Sequence, residues 1–162
     1  MPLGICMTRA EVMDWVPGSH ASTFGGNPVS IAAALATMDI IQREAMGNAA
    51  RVGEFMLERL RGWKQTHPLV GDVRGRGLMI GIELVKDKTT REPATALRNR
   101  VETLAFERGL MVLGCGETSL RLSPPLIVNQ HEATVALDIL EEALTVVEKE
   151  HEQPAALEAA TA

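Results

Sequence analysis

Between residues 52 and 84 the spacing of apolar side chains changes, and that change constrains the fold more than anything else in the 162 residues. Val52, Phe55, Met56, Leu60 and Trp63 form one stripe at helical spacing. Arg51, Glu54, Glu58, Arg59 and Arg61 lie largely outside it, as on an amphipathic helix with one buried face. The helix ends by His67-Pro68, because the residue before a proline avoids helical angles. Beyond Pro68 the period drops to two. Val70–Arg74 reads as a strand, and Leu78, Ile80, Ile82 and Leu84 alternate with Met79, Gly81, Glu83 and Val85. The short joint Arg74-Gly75-Arg76-Gly77 implies antiparallel pairing, with helices covering one face. That is an α+β layout over roughly Ala49 to Glu150.

The flanking segments extend this pattern. Leu3–Met7 is apolar and reads as a buried strand, and Ala10–Trp15 as one or two helical turns ended by Pro17-Gly18. A globular protein rarely opens directly on a buried strand, which hints at a truncated chain. From Pro28, Ile31, Leu35, Met38, Ile41 and Ala45 recur at helical spacing. The opposite side between Val29 and Met38 is mostly Ala, so cover on more than one face is expected. Gly47-Asn48 reads as a break. Lys86–Pro93 is a solvated loop, followed by a helix from about Ala94 with Leu97, Val101, Leu104 and Arg108, stopped by Gly109. Leu110–Leu113 and Ser119–Leu122 are strand candidates around Gly114-Cys115-Gly116, the second ended by Pro124-Pro125. Asn129 and Glu132 have the form of a capping box, opening a helix that buries Ala133, Leu137, Leu140, Leu144 and Val147. After Glu150 the composition turns to that of a tail without a packing face.

Composition excludes several classes of partner. Apolar residues make up 46% and charged residues 23%, a globular balance with enough length for a core. Aromatics are only 3%, without tyrosine, so the core must be aliphatic and Met-rich. The net charge is −5 and no Lys/Arg stripe forms, so nucleic acid is not an expected partner. No stretch approaches the roughly 20 apolar residues of a membrane span, and the start lacks the basic region of a signal peptide. Cys6 and Cys115 read as reduced thiols of a cytoplasmic protein. His20, His67, His131 and His151 show no metal-binding spacing, and no metal site is expected.

Two places carry candidate chemistry. Gly18-Ser19-His20-Ala21-Ser22-Thr23-Phe24-Gly25-Gly26-Asn27-Pro28 runs straight into a helix, with Asn27 as N-cap and Pro28 in the first turn. Helix N–H groups beside the Ser22 and Thr23 hydroxyls could hold a phosphate; the same pattern also makes a capped turn without a ligand. Arg121 sits in the apolar strand Ser119-Leu120-Arg121-Leu122-Ser123-Pro124-Pro125 and needs a partner for its fork of donors. A carboxylate suits it best, and from local context an internal pair with Asp or Glu is preferred over a ligand carboxylate. Arg74 and Arg76 could form an anion nest or a bend tied by an internal ion pair, and the bend is the reading preferred.

As whole strings these segments resemble the class III, pyridoxal-phosphate-dependent aminotransferases of the 4-aminobutyrate, acetylornithine and ornithine type. His20-Ala21-Ser22-Thr23-Phe24-Gly25-Gly26-Asn27-Pro28 resembles the segment after the cofactor lysine, Asp72–Leu84 the entry into the C-terminal domain, and Ser119–Pro125 the substrate-carboxylate segment. The resemblance covers residues 1 to about 149. It implies the α+β C-terminal small domain of a fold-type I transferase (49–150), preceded by the last piece of the α/β large domain (1–48) and followed by a flexible tail (151–162). It implies that Thr23, with Ser22 beside it, contacts the phosphate of pyridoxal 5'-phosphate in the neighbouring subunit of a homodimer. Arg121 would receive a substrate carboxylate, and Arg74 would be structural. The parent reaction would move an amino group from an amino acid or ω-amine to a 2-oxo acid. In the family, the lysine that forms the Schiff base lies just upstream of the matched region. Lys64, Lys86, Lys88 and Lys149 fall in other contexts. The expectation is a C-terminal fragment with the phosphate and carboxylate clamps, inactive alone. The alternative is a non-catalytic anion-binding or dimer-forming module derived from such an enzyme.

Overall fold

The computed structural model describes residues 3–159, with side chains up to residue 152. The chain divides into two compact units, Met1–Ala45 and Met46–Ala162.

In the first unit, residues 3–27 form turns and irregular backbone. Leu3–Met7 is not a strand: Ile5 and Met7 are 76% and 90% exposed. A strand exists only through hydrogen bonds to a neighbour, and no described residue of this unit supplies one. Ala10–Val12 makes a single turn, with the Val12 and Met13 amides donating to the Arg9 carbonyl at 3.1 and 3.2 Å. Helix α1, Pro28–Ile40, starts as its sequence requires. Asn27 caps it through Oδ1, which accepts from the Val29 and Ser30 amides at 3.0 and 3.1 Å. A π-helical segment, Ile41–Ala45, follows. Val29, Ile31, Leu35, Met38 and Ile40 are all exposed, so the described residues of this unit do not provide the cover expected for several faces of α1.

The second unit is an antiparallel sheet packed against helices. Its elements are α2 (Met46–Thr66), β1 (Val70–Arg76), β2 (Met79–Leu84), α3 (Thr95–Glu107), β3 (Leu113–Cys115), β4 (Ser119–Leu122) and α4 (Gln130–Ala159). The strand order is β1-β2-β4-β3, every pair antiparallel. Ile80, Ile82, Leu84, Leu120 and Leu122 point to one face. There they meet Val52, Leu60 and Trp63 of α2, Val101 and Leu104 of α3, and Leu137, Leu140 and Leu144 of α4. Burying a side chain of this size stabilises by about 1.5–3 kcal/mol.

Local details show what holds the helices to the sheet. Gly47-Asn48 does not break the chain; both lie inside α2. The Asn48 amide donates to the Leu126 and Val128 carbonyls at 2.8 and 2.9 Å, so long-range bonds offset its weak helix propensity. Gly53 abuts the Gly77 backbone so closely that a Cβ would collide with it, and Gly77 itself takes a positive φ of 56° at the β1–β2 turn. The capping box forms as expected. The Asn129 amide donates to Glu132 Oε2, and the Glu132 amide to Asn129 Oδ1, both at 2.9 Å. β3 lies later than its apolar run suggested, over Leu113–Cys115, where it pairs with Ser119–Arg121 of β4; the Arg98 guanidinium lies against Gly114 in the space a side chain would fill. The last helix does not stop at Glu150 but runs to Ala159; the final part of the expected tail, residues 160–162, lies outside the described residues.

One polar cluster ties α2 to α4. His67, 7% exposed, faces Glu148 Oε2 through Nδ1 at 2.8 Å and Glu141 Oε1 through Nε2 at 3.4 Å. Arg59 reaches Asp138 and Glu141 from the same side. Among the described residues no group of three potential ligands could hold a metal ion, and no helix is long and apolar enough to cross a membrane.

Candidate functional site

Alternation puts one face of the sheet into the core and leaves the other open. Cross-strand partners share a face, so the register reads the open surface directly. Its central row runs Arg74, Gly81, Arg121, Leu113 across β1, β2, β4 and β3. The rows beside it place Arg76 opposite Met79, and Glu83 opposite Ser119. A cavity of about 620 Å³ opens on this face, lined among others by Arg74, Arg76, Met79, Gly81, Glu83, Ser119 and Arg121. Arg121 also borders a second, more apolar cavity of about 330 Å³ towards α4.

The three arginines differ in what holds them. Arg74 donates to Glu83 Oε2 at 2.8 Å, to Asp72 Oδ2 at 3.3 Å and to Ser119 Oγ at 3.2 Å. The Glu83 hydrogen bond raises its already high pKa; burial opposes this, and the Asp72 hydrogen bond and the two negative charges add to the rise. Arg74 is therefore internally tied, as the bend reading expected. Arg121 and Arg76 are exposed, and neither has a hydrogen bond or ion pair among the described residues. The internal acid considered for Arg121 is not there; its guanidinium is free to meet an anion in the cavity. Sequence reasoning missed Glu83 and Ser119 as the partners of Arg74. Alternation did mark Glu83 as sharing a face with Gly81, but only the strand register brings Ser119 alongside.

Ser22 and Thr23 lie in the first unit, and Arg121 in the second. Both hydroxyl residues are exposed, in a turn closed by Gly25 N–H to the Ser22 carbonyl at 3.2 Å, with Gly26 at a φ of +74°. The helix N–H groups expected beside them are not free. Asn27 Oδ1 takes those of Val29 and Ser30, the Asn27 carbonyl takes that of Ile31, and Pro28 has none. What remains for an anion is the two hydroxyls and the turn's own amides.

An open-faced α+β sheet carrying a free arginine, in the same chain as a hydroxyl turn ahead of a capped helix, is matched by one family model. It is that of "Aminotransferase class-III", over residues 1–144. The chain belongs to the class III aminotransferases. Among curated relatives, a leucine/methionine racemase of Thermococcus litoralis is 40% identical over 92% of this chain and 34% of its own. The mitochondrial alanine–glyoxylate aminotransferase 2 homolog 2 of Arabidopsis thaliana is 37% identical over 86% of this chain and 30% of its own. The chain thus spans about a third of the length of these relatives. Among solved structures, a PLP-bound amine transaminase from an uncultivated Pseudomonas species superposes with a TM-score of 0.74 at 38% identity, over 81% of this chain and 30% of that one. The fold is the small α+β domain of the fold-type I transferases, with the preceding piece of their large domain.

Pyridoxal phosphate is the cofactor of this family. The residues of this chain fit part of it. The Ser22 and Thr23 hydroxyls are accessible donors for a phosphate group. None of the four lysines stands in the first unit. Lys64 faces Asp72, Lys86 pairs with Glu92, and Lys88 donates to the Lys64 carbonyl, so these three serve the surface of the second unit.

Proposed function

We propose that this chain forms the C-terminal, carboxylate-receiving part of a class III enzyme that moves an amino group from an amino acid or ω-amine, of the 4-aminobutyrate or acetylornithine type, to a 2-oxo acid. Residues 1–48 are the end of the large domain and 49–150 the small domain. The observation that carries this reading is the contrast on the open sheet face. Arg74 is fully engaged by Asp72, Glu83 and Ser119, whereas Arg121, its neighbour across Gly81, is unpaired and borders the cavity. A planar guanidinium so placed can orient a substrate carboxylate by two parallel hydrogen bonds. Ser22 and Thr23 hold the phosphate of the cofactor belonging to the neighbouring subunit of a homodimer. The cofactor, when bound, supplies the electron sink for chemistry at the amino-bearing carbon. With no lysine in the first unit, the 162 residues alone are inactive in this reading. The exposed free thiols of Cys6 and Cys115 suit a cytoplasmic setting.

A second reading has support from the names of relatives. Several are racemases or epimerases of neutral amino acids, and a racemase needs the same carboxylate anchor without a second substrate. Arg121→Lys in the complete enzyme tests the shared element. We expect kcat/KM for carboxylate-bearing substrates to fall roughly 10- to 100-fold, the worth of one charge-assisted hydrogen bond, while amines lacking a carboxylate are spared. Equal losses for both classes would make Arg121 structural. Turnover that requires a 2-oxo acid separates transfer from racemisation.

A further inference from the structure

Arg98 of α3 is a charge out of place on the other side of the sheet. Gly114 of β3 pairs with Leu120, whose side chain is in the core, so the side chain that Gly114 lacks would point to the core face. The Arg98 guanidinium lies there instead, in the space a Cβ would fill, and its side chain is only 12% exposed. Its nitrogens are unequally served. Nη2 donates to the Glu117 carbonyl in the β3–β4 turn at 3.3 Å, and Nη1 is 3.7 Å from Glu102 Oε2. Nε is buried and has no partner among the described residues. A buried donor left unpaired is destabilising, and an apolar side chain of the same length would hold α3 to the sheet without that penalty. Stability alone does not account for this arginine.

What it can supply is position. β3 is a three-residue strand at the sheet edge, paired with β4 alone. Leu113 is 51% exposed, Cys115 is exposed and Gly114 has no side chain, so β3 has no buried side chain of its own to fix its register. A strand of that kind is free to slip by a residue. Over the guanidinium only glycine fits, and a slip either way would drive Leu113 or Cys115 onto it. The bond to the Glu117 carbonyl ties the turn of the same hairpin. Leu113 is the neighbour of Arg121, and Cys115, Gly116, Glu117 and Thr118 line the open-face cavity. Glu117 is an acid in that lining, yet it makes no ion pair with Arg121 among the described residues. We infer that Arg98 is a positioning residue for the cavity: seated under Gly114 and bonded to the Glu117 carbonyl, it fixes β3 in register and holds the Glu117 carboxylate away from Arg121. The inference rests on the reading of Arg121 as a receiving group. It adds a residue that acts on Arg121 from the opposite face of the sheet, without touching a ligand.

The test uses the complete 162-residue chain, with butyrate binding at low ionic strength as the probe of Arg121 and amide exchange across β3 as the probe of the hairpin. Arg121→Gln is the control for binding, and urea unfolding shows that each variant is folded. Arg98→Met keeps the length of the side chain and drops its donors. We expect exchange across β3 to quicken and butyrate affinity to fall, each about five- to ten-fold, the worth of one lost hydrogen bond, while the urea midpoint does not drop. Arg98→Lys, which keeps one cationic donor, should recover part of both. Gly114→Ala evicts the guanidinium and should reproduce the Arg98→Met pattern; should Arg98→Met fail to fold, it carries the same comparison. Glu117→Gln should raise butyrate affinity more in the Arg98→Met background than in wild type, because only there is the acid free to compete for Arg121. An equal gain in both backgrounds, or exchange and affinity unchanged in Arg98→Met, overturns the inference. A lowered urea midpoint with butyrate affinity unchanged makes Arg98 structural only and overturns it too. Butyrate binding that falls in Arg121→Gln but in none of the Arg98 and Gly114 variants overturns this inference and leaves the Arg121 reading standing. Binding indifferent to Arg121→Gln, or absent from wild type, overturns both.

Discussion

The two units of this chain have similar ingredients and opposite outcomes. The second surrounds its sheet with helices and hides Leu60, Val70, Leu84 and Val101 completely. The first is as rich in large apolar side chains, yet Ile5, Met7, Val12, Trp15, Val16, Phe24 and Leu35 are all more than half exposed. Among its described residues those buried are Ser30 and Ala45. Hydrophobic content alone therefore does not make a core; the apolar positions need a second layer to close on. In the second unit the layers come from one continuous stretch of sequence, through hairpins and helices that return over the same face. In the first, α1 offers apolar side chains in several directions and no other element of the unit lies over them. In proteins generally, exposed apolar surface on this scale marks an interface, and the homodimer proposed above would supply one.

The largest effect expected from this contrast is in paired truncations. Leu60→Ala removes a side chain with no exposure, and we expect it to lower unfolding free energy by about 2–5 kcal/mol. Leu35→Ala, at 64% exposure, should change it by no more than about 0.5 kcal/mol. Urea melts of the two variants decide the matter. Similar losses would mean that the first unit has a core of its own after all.

The same contrast explains what the sequence made legible. Where a segment's partners are near in sequence and its face is decided by periodicity, reading was reliable. The β1–β2 hairpin follows from alternation between Leu78 and Leu84, and the buried side of α4 from Ala133, Leu137, Leu140 and Leu144. Readings failed where a distant group decides the outcome. Gly47-Asn48 looks like a break until the Asn48 amide finds two carbonyls almost 80 residues away. Leu3–Met7 has strand composition but no described neighbour to complete its hydrogen bonds. β3 is centred on Gly114, where the Arg98 side chain lies so close that a Cβ would collide with it, a contact with a residue of α3 that the apolar run does not announce. At the site, Arg121 was legible as a charge out of place in an apolar strand. Its lack of a partner was not, because register alone decides that Asp72, Glu83 and Ser119 go to Arg74. At Asn27-Pro28 the N-cap itself takes the Val29 and Ser30 amides, so the donors left beside Ser22 and Thr23 are their hydroxyls and the turn's own amides, which the capping pattern alone does not reveal.

Caps sharpen the comparison at a smaller scale, because both units use asparagine for the same task. Asn129→Ala removes the side-chain half of the capping box that opens α4, the Glu132 amide to Asn129 Oδ1 bond, and leaves the Asn129 amide on Glu132; we expect it to cost about 1 kcal/mol of global stability. Asn27→Ala removes two bonds at the start of α1, those from the Val29 and Ser30 amides. Its effect should stay local, because α1 buries little that the cooperative transition depends on. Amide exchange at Val29 and Ser30 should quicken while the urea midpoint hardly moves. A midpoint shift as large as that of Asn129→Ala would show that α1 unfolds with the sheet.

The smallest effect expected concerns the sheet's open face, where stability and function overlap. Burial, the largest single influence, pushes the Asp72 carboxyl up, but hydrogen bonds from Lys64, Arg74 and the Val73 amide together outweigh it and hold its pKa below the usual range. A carboxyl whose pKa is lower folded than unfolded adds stability that is fully present above its unfolded value, about 3.9, and is lost as pH falls through the folded one. Asp72→Asn should therefore flatten the acid limb of the stability curve below about pH 4 and leave its shape near neutrality unchanged. Its carboxylate is 44% exposed, so solvent screening limits the change to a few tenths of a kcal/mol. Added salt should shrink it further. The variant also frees Arg74 from one of its two acids without touching Glu83 or Ser119. If Arg74 is structural, binding of a simple carboxylate such as butyrate at pH 7 will match wild type within error. Tighter binding would show that Arg74 can turn towards the cavity once released, and that the division between one tied and two free arginines is softer than their hydrogen bonds imply.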